Sequence, residues 1–197
     1  VLLVGEGITF AHPTRMFQFA QYLDPERFEV HFACPESFWP WFKSPQVRFW
    51  PLPTISSETI MARLYRVEYP YTVEELKQTL ADDLRLLAQI KPDVVISDFR
   101  LTMPIAAQRH QIFCGNILQF YMTSEYKKPS LVPNSNICDF FGRRLTEWIA
   151  PLVEAFVQKQ QMISINRWRK SMGLQPFADI YASYCEGDLL LCPDLQF

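Results

Sequence analysis

His12 and Asp98 are the two residues whose types and positions best suit them to act together. A carboxylate beside an imidazole fixes the tautomer and stabilises the imidazolium that forms when the ring removes a proton, which is the working arrangement of a general base. Residue type alone does not decide the matter, because a single histidine near a helix start is more often a capping or satisfied surface residue. Position carries the argument: each residue follows a short apolar run, His12 shortly after Val1-Leu2-Leu3-Val4-Gly5 and Asp98 directly after Val94-Val95-Ile96-Ser97.

Those runs are strands in an alternating pattern of strands and helices. After Val1 to Gly5, Pro13 to Leu23 places Met16, Phe17, Phe19, Ala20 and Leu23 at helical spacing, so His12 sits in the loop just before Pro13 opens a helix. Phe28 to Ala33 is the next strand, Ser37 to Phe42 a short aromatic helix, and Val47 to Leu52 a third strand stopped by prolines. Thr54 to Tyr71 is an irregular excursion with a hint of helix. Leu76, Leu80, Leu84 and Leu87 then mark an amphipathic helix over Val73 to Ile90.

Val94-Val95-Ile96 is apolar on both faces, as a strand inside a covered parallel sheet must be. A helix follows from about Met103 to Gln111, then a strand over Ile112 to Leu118 and a loop from Phe120 to Asn136. A long helical stretch from about Asp139 to Met172 is expected to break at Pro151. Phe177 to Tyr184 forms a short helix and Gly187 to Pro193 a last buried strand. The fold class is therefore α/β, a Rossmann-like doubly wound parallel sheet of order 3-2-1-4-5-6. In that order strands 1 and 4 are neighbours at the topological switch point, where ligands bind, and His12 and Asp98 meet in one crevice.

Composition removes several function classes. The chain of 197 residues has a net charge of −2, which gives no field for holding a phosphate backbone, so no nucleic acid is expected. No apolar window approaches the length of a spanning helix, so no transmembrane segment is expected. Cys34, Cys114, Cys138, Cys185 and Cys192 are an odd set without CxxC spacing, the pattern of reduced thiols in a cytoplasmic protein. About half the residues are hydrophobic, enough for one packed domain over 1–197. The start without methionine, directly in a strand, and the stop at Phe197 suggest a chain cut at both ends.

Several segments together resemble the metal-independent, two-domain glycosyltransferases of the GT-B fold, in particular the UDP-glycosyltransferase and macrolide or antibiotic glycosyltransferase branch. Ala11-His12-Pro13-Thr14-Arg15 with Phe17-Gln18-Phe19-Ala20 is similar to the family's first loop and helix, and His12 falls on its base. Lys91-Pro92-Asp93-Val94-Val95-Ile96-Ser97-Asp98-Phe99-Arg100 with Ile105-Ala106-Ala107 resembles the segment whose aspartate orients that base, and Asp98 matches it. Asn166-Arg167-Trp168-Arg169-Lys170, Gly173-Leu174 and Gly187-Asp188-Leu189 to Pro193 resemble the passage leading to the interdomain linker. The family usually has glycine before the histidine, where this chain has Ala11, and Pro13-Thr14-Arg15 also departs from its commonest variant.

The resemblance implies that residues 1–197 are the N-terminal, acceptor-binding domain of a GT-B enzyme, with a C-terminal nucleotide-sugar-binding domain absent from this chain. It implies transfer of a sugar from a UDP- or dTDP-sugar co-substrate to a hydroxyl of a small-molecule or lipid acceptor, with inversion and without metal or other cofactor. Alone, this half is expected to be inactive. Tyr65, Tyr69, Phe120 and Tyr121, in the long excursions on the crevice side, are the candidate acceptor-binding residues, since aromatic faces suit sugars, lipids and polyketides alike. Two other functions compete: a non-catalytic acceptor-binding subunit of a split glycosyltransferase, and an unrelated Rossmann-like binding module.

Other features carry less. Gly5-Glu6-Gly7 begins a dinucleotide fingerprint but lacks the third glycine and a suitably placed acidic residue. His31 and His110 lack companions at ligand spacing and are a strand residue and an exposed helix residue, so no metal is predicted. Trp39, Trp41 and Trp50 are read as structural.

Overall fold

The computed structural model describes residues 1–66, 68–123, 125–126 and 143–194, without side chains at 143–151, 153–155 and 158. Six parallel strands form one sheet in the order β3-β2-β1-β4-β5-β6. They are β1 (Leu2–Gly5), β2 (Val30–Cys34), β3 (Val47–Pro51), β4 (Val94–Asp98), β5 (Phe113–Ile117) and β6 (Leu189–Leu191). The strand order agrees with the one expected from the alternation of elements. In the centre, β1 and β4 pair with Val4 opposite Ser97 and Gly5 opposite Asp98.

The apolar alternation of β1 assigns its residues to two cores. Leu2 and Val4 join Ala33, Val95 and Cys114 on the face covered by α3 (Val73–Ile90), α4 (Met103–His110) and α5 (Arg143–Ser171). Leu3 joins Phe32, Ile96 and Ile117 on the face covered by α1 (Ala11–Tyr22), which buries Pro13, Met16 and Ala20 along one stripe. α3 is bounded as its leucine spacing predicts: Thr72 and Glu75 form a reciprocal capping box at its start, and Lys91 ends it in a left-handed conformation. The hint of helix in the Thr54 to Tyr71 excursion is α2 (Ser57–Tyr65), capped by Ser56.

Two local expectations are corrected. Pro151 does not break the long helix, which runs through it from Arg143 to Ser171. A proline removes one amide donor and crowds one carbonyl, a local cost set against later turns anchored by buried Met162, Ile165 and Trp168. His12 does not precede α1 but lies inside its first turn, because the helix begins at Ala11, where proline two positions on needs no amide partner. The expected start of the long helix near Asp139, and most of the loop to Asn136, lie outside the described residues. A last short helix, α6 (Ile180–Tyr184), precedes β6.

Candidate functional site

The site is built where the carboxyl ends of β1 and β4 lie side by side. Directly after Gly5, the last residue of β1, the backbone amide of Glu6 donates to the carbonyl of Asp98 at 3.1 Å, which zips the loop after β1 to the end of β4. A Cβ on Gly5 would stand 2.6 Å from the Cα of Pro13. Glycine therefore lets the first turn of α1 lie directly on β1 and brings His12 to Asp98.

His12 Nδ1 lies 2.8 Å from Asp98 Oδ1. The carboxylate is buried, at 1% exposure, and the imidazole retains 12%. Phe99 stacks nearly parallel on the imidazole, with ring centroids 5.2 Å apart, and packs in turn against Tyr184 at 5.1 Å. Phe99 has φ +62, an unusual left-handed backbone for an aromatic residue. Such a conformation costs about 1–3 kcal/mol and persists where surroundings over-determine it. Here two rings hold it, and the turn lets the chain leave β4 with Asp98 directed to His12.

Arg15 completes the arrangement. Its Nε donates to Asp98 Oδ2 at 2.7 Å, while Nη2 reaches Oδ1 at 3.4 Å. Arg15 stands three residues after His12 on α1, so both side chains leave the same face of the helix. That spacing was visible in the sequence, but Arg15 registered there only as a departure from the family pattern.

Behind the pair is a buried ionic cluster. Arg100, two residues beyond Asp98, donates through Nε to Asp83 Oδ1 at 2.9 Å, and through Nη1 to Glu6 Oε2 and the Pro53 carbonyl, both at 2.8 Å. Thr102 donates to the second Asp83 oxygen at 2.5 Å, and Glu6 Oε1 accepts the Gly7 amide at 2.8 Å. One guanidinium thus ties the loop after β1, the segment after β3, α3 and the turn after β4 into one unit. Burial alone lowers the Arg100 pKa, and the Coulombic pull of Asp83 and Glu6 overrides it and raises it. Burial raises Asp83 against the opposing pull of Arg100. Glu6 committed to this cluster also places a buried carboxylate where a dinucleotide loop would present its diphosphate, which counts against that reading of Gly5-Glu6-Gly7.

The candidate acceptor residues divide. Phe120 and Tyr121 fall in a single 3-10 turn, Phe120–Met122, beyond the carboxyl end of β5 and so on the same sheet edge as His12 and Asp98. Phe120 is half-buried beside Tyr126, while Tyr121 is exposed. Tyr65 ends α2 with 82% of its surface free, away from any stacking on the pair. Tyr69 is corrected: it is buried in the core and its hydroxyl donates to Ser183 at 3.3 Å. Burial pushes that phenol up to about 12. Tyr69 faces α6 and α3 and not the crevice, a direction that sequence does not give for an irregular segment.

The tryptophans also divide. Trp50 donates to His31 Nδ1 at 2.9 Å, and Trp39 packs on Phe49, as structural residues do. Trp41 is corrected, because 73% of it is exposed. It meets Phe10 edge-on, and Phe10, which immediately precedes α1, stacks on Phe42. Two residues before His12 there is thus a partly exposed aromatic platform that was not singled out from sequence.

His31 lies in β2, lowered in pKa by burial, and His110 ends α4 at the surface. Among the described residues no group of three His, Cys, Asp or Glu is arranged to hold a metal ion. Cys34, Cys114 and Cys192 are free thiols, and burial pushes the first two up to about 12; Cys138 lies outside the described residues. No helix among the described residues is long and apolar enough to cross a membrane.

No family model matches the chain. Among curated proteins it is 29% identical over 196 residues to an inactive PGL/p-HBAD biosynthesis glycosyltransferase of Mycobacterium bovis (strain BCG / Pasteur 1173P2), covering 99% of this chain and 54% of that protein. It is also 29% identical over 196 residues to a PGL/p-HBAD biosynthesis rhamnosyltransferase of the same strain, covering 99% of this chain and 43% of the relative. The chain spans about half the length of the curated relatives it matches. Among solved structures, a glycosyltransferase of Streptomyces sp. SF2575 superposes with a TM-score of 0.53 at 15% identity, covering 98% of this chain and 50% of the other. Sequence and fold agree with the resemblance read from the motifs: the chain is similar to glycosyltransferases, and its fold is that of one half of a GT-B enzyme.

Proposed function

We propose, starting from that kinship, that the chain is the acceptor-binding domain of a two-domain glycosyltransferase and that His12 is its catalytic base. The observation that carries this reading is the 2.8 Å contact of His12 Nδ1 with the buried Asp98 carboxylate at the β1–β4 switch point. An ionised carboxylate can only accept, so the proton in that contact belongs to Nδ1 and the lone pair of His12 is on Nε2. This assignment follows from the hydrogen-bond network.

In the proposed reaction the acceptor hydroxyl gives its proton to His12 Nε2 while its oxygen forms a bond to the anomeric carbon of a UDP- or dTDP-sugar. The bond from that carbon to the diphosphate breaks and its electron pair leaves with the nucleoside diphosphate. Attack opposite the leaving group inverts the anomeric centre. Asp98 stabilises the transient imidazolium through Nδ1. Residues 1–197 form one domain in this reading, and the donor site, with its stabilisation of the diphosphate, belongs to a second domain in the full-length protein. Closure of the two excludes water from the reaction. The protein acts in the cytoplasm and uses no metal.

On the acceptor side, Phe120 and Tyr121 lie along the sheet edge, with Tyr65 further out on α2. Phe10, two residues before His12 in the chain, and Trp41 add a partly exposed apolar surface at the start of α1 that favours acceptors with aromatic or lipid character. A second reading, a non-catalytic acceptor-binding subunit, is favoured by one relative being named inactive although it is as similar to this chain as the rhamnosyltransferase.

The test is to incubate the full-length protein with UDP- and dTDP-sugars and apolar hydroxyl acceptors and follow nucleotide diphosphate release. Release that requires acceptor supports the enzyme. Acceptor binding without release from any donor supports the non-catalytic subunit.

A further inference from the structure

The two oxygens of Asp98 have different nearest side-chain partners. Oδ1 takes His12 Nδ1 at 2.8 Å and Oδ2 takes Arg15 Nε at 2.7 Å, while Arg15 Nη2 reaches back to 3.4 Å from Oδ1. The guanidinium plane therefore runs along the carboxylate edge, the geometry in which arginine fixes an orientation as well as a charge. Nη2 also lies 3.4 Å from His12 Nδ1. Since Nδ1 already carries the proton donated to Asp98, that approach joins two donors and is not a hydrogen bond.

The burial of the three groups gives the contact its consequence. Asp98 is 1% exposed, Arg15 23%. A buried carboxylate with a neutral imidazole as its one partner is an uncompensated charge and can turn about its χ2 torsion. Arg15 compensates the charge and blocks the turn. It comes from the same face of α1 as His12, so base and cation keep their spacing to each other and approach the Asp98 carboxylate of β4 together.

We propose that Arg15 is a positioning residue for the base: by holding Oδ2 of Asp98 it keeps Oδ1 on His12 Nδ1 and so keeps the Nε2 lone pair free to take the acceptor proton. Its effect on turnover rests on the glycosyl-transfer reading; its effect on the imidazole does not. Arg15 touches neither sugar nor acceptor in this role, which separates it from His12.

The experiment uses the full-length protein with 15N-labelled histidine, the His12 signals being identified by their loss in His12→Gln. In the wild type the His12 ring is expected as the Nδ1–H tautomer. In Arg15→Met the signals are expected to shift toward a mixture of tautomers. Turnover should fall by the roughly 10–100-fold that loss of an orienting partner costs, while the acceptor KM moves by no more than about twofold. Arg15→Lys, which keeps the charge on Oδ2 but not the reach to Oδ1, should fall between the two. An Arg15→Met protein with wild-type tautomer and turnover overturns the proposal. If that variant does not fold, Arg15→Lys decides, and wild-type values there overturn it equally. A wild type that transfers no sugar contradicts the transfer reading, while the tautomer comparison still judges Arg15.

Discussion

Gly5 and Pro13 are packed so closely that a methyl group on the glycine would lie 2.6 Å from the proline Cα. The contact joins the end of β1 to the first turn of α1 and sets how deeply His12 enters the crevice. Gly5→Ala should therefore push α1 off the sheet. Overpacking of this kind costs about 1–3 kcal/mol, and a displacement of about 1 Å at the base can cost roughly hundredfold in turnover. Denaturant midpoints and kcat of the full-length variant measure the two effects, and both should fall, since a hundredfold loss of turnover corresponds to about 2.7 kcal/mol.

The second prediction concerns Arg100, whose guanidinium faces two buried carboxylates, Glu6 and Asp83. Arg100→Met leaves both without their cation, a loss of about 3–5 kcal/mol by the measure of broken buried pairs. Chemical denaturation checks it. Simultaneous replacement of Glu6 and Asp83 by Gln and Asn should recover part of the loss, because the repulsion goes with the charges.

A third follows from Glu75, which caps α3 and accepts a bidentate pair of hydrogen bonds from Arg63 on α2. The Arg63 hydrogen bond, against a smaller opposing effect of burial, holds Glu75 below its ordinary value of 4.5. A carboxyl whose folded pKa is depressed contributes stability that is present above its unfolded pKa and lost as pH falls through the folded one. Asp83, raised by burial, works with the opposite sign: its contribution is present at acid pH and lost as pH rises. Denaturant midpoints between neutral pH and pH 3 should therefore fall less steeply in Glu75→Gln than in the wild type. Equal slopes would remove Glu75 from the acid response.

The order of the sheet was legible because each strand is a short apolar run and each crossover a recognisable helix. His12 and Asp98 were legible as a pair because that order makes β1 and β4 neighbours. The rest depends on directions that periodicity does not encode. Tyr69 belongs to an irregular excursion, where neither a 3.6 nor a 2.0 repeat says which side is inward, and it turns into the core. Arg15 was in plain view at i+3 from His12, but what makes it matter is the second oxygen of a residue on another strand. Trp41 lay among prolines and aromatics that suggested packing, and only the path of the 3-10 turn from Glu36 leaves its ring in solvent.

The division of the aromatic residues gives a fourth prediction. Tyr69→Phe removes a buried hydroxyl bonded to Ser183 and should cost about 0.5–1.5 kcal/mol of stability, with no change in acceptor KM. Tyr121→Ala and Trp41→Ala, both at exposed positions, should leave stability nearly untouched and raise acceptor KM. Thermal unfolding and acceptor titrations of the full-length variants separate the two groups.

The most direct test of the base is turnover of His12→Ala in the full-length enzyme, measured at saturating donor and acceptor. Loss of a positioned general base predicts a fall in kcat of roughly hundredfold or more, with donor binding unchanged. Undiminished turnover would contradict the account, since the Asp98 and Arg15 arrangement would then be serving the fold and not the transfer.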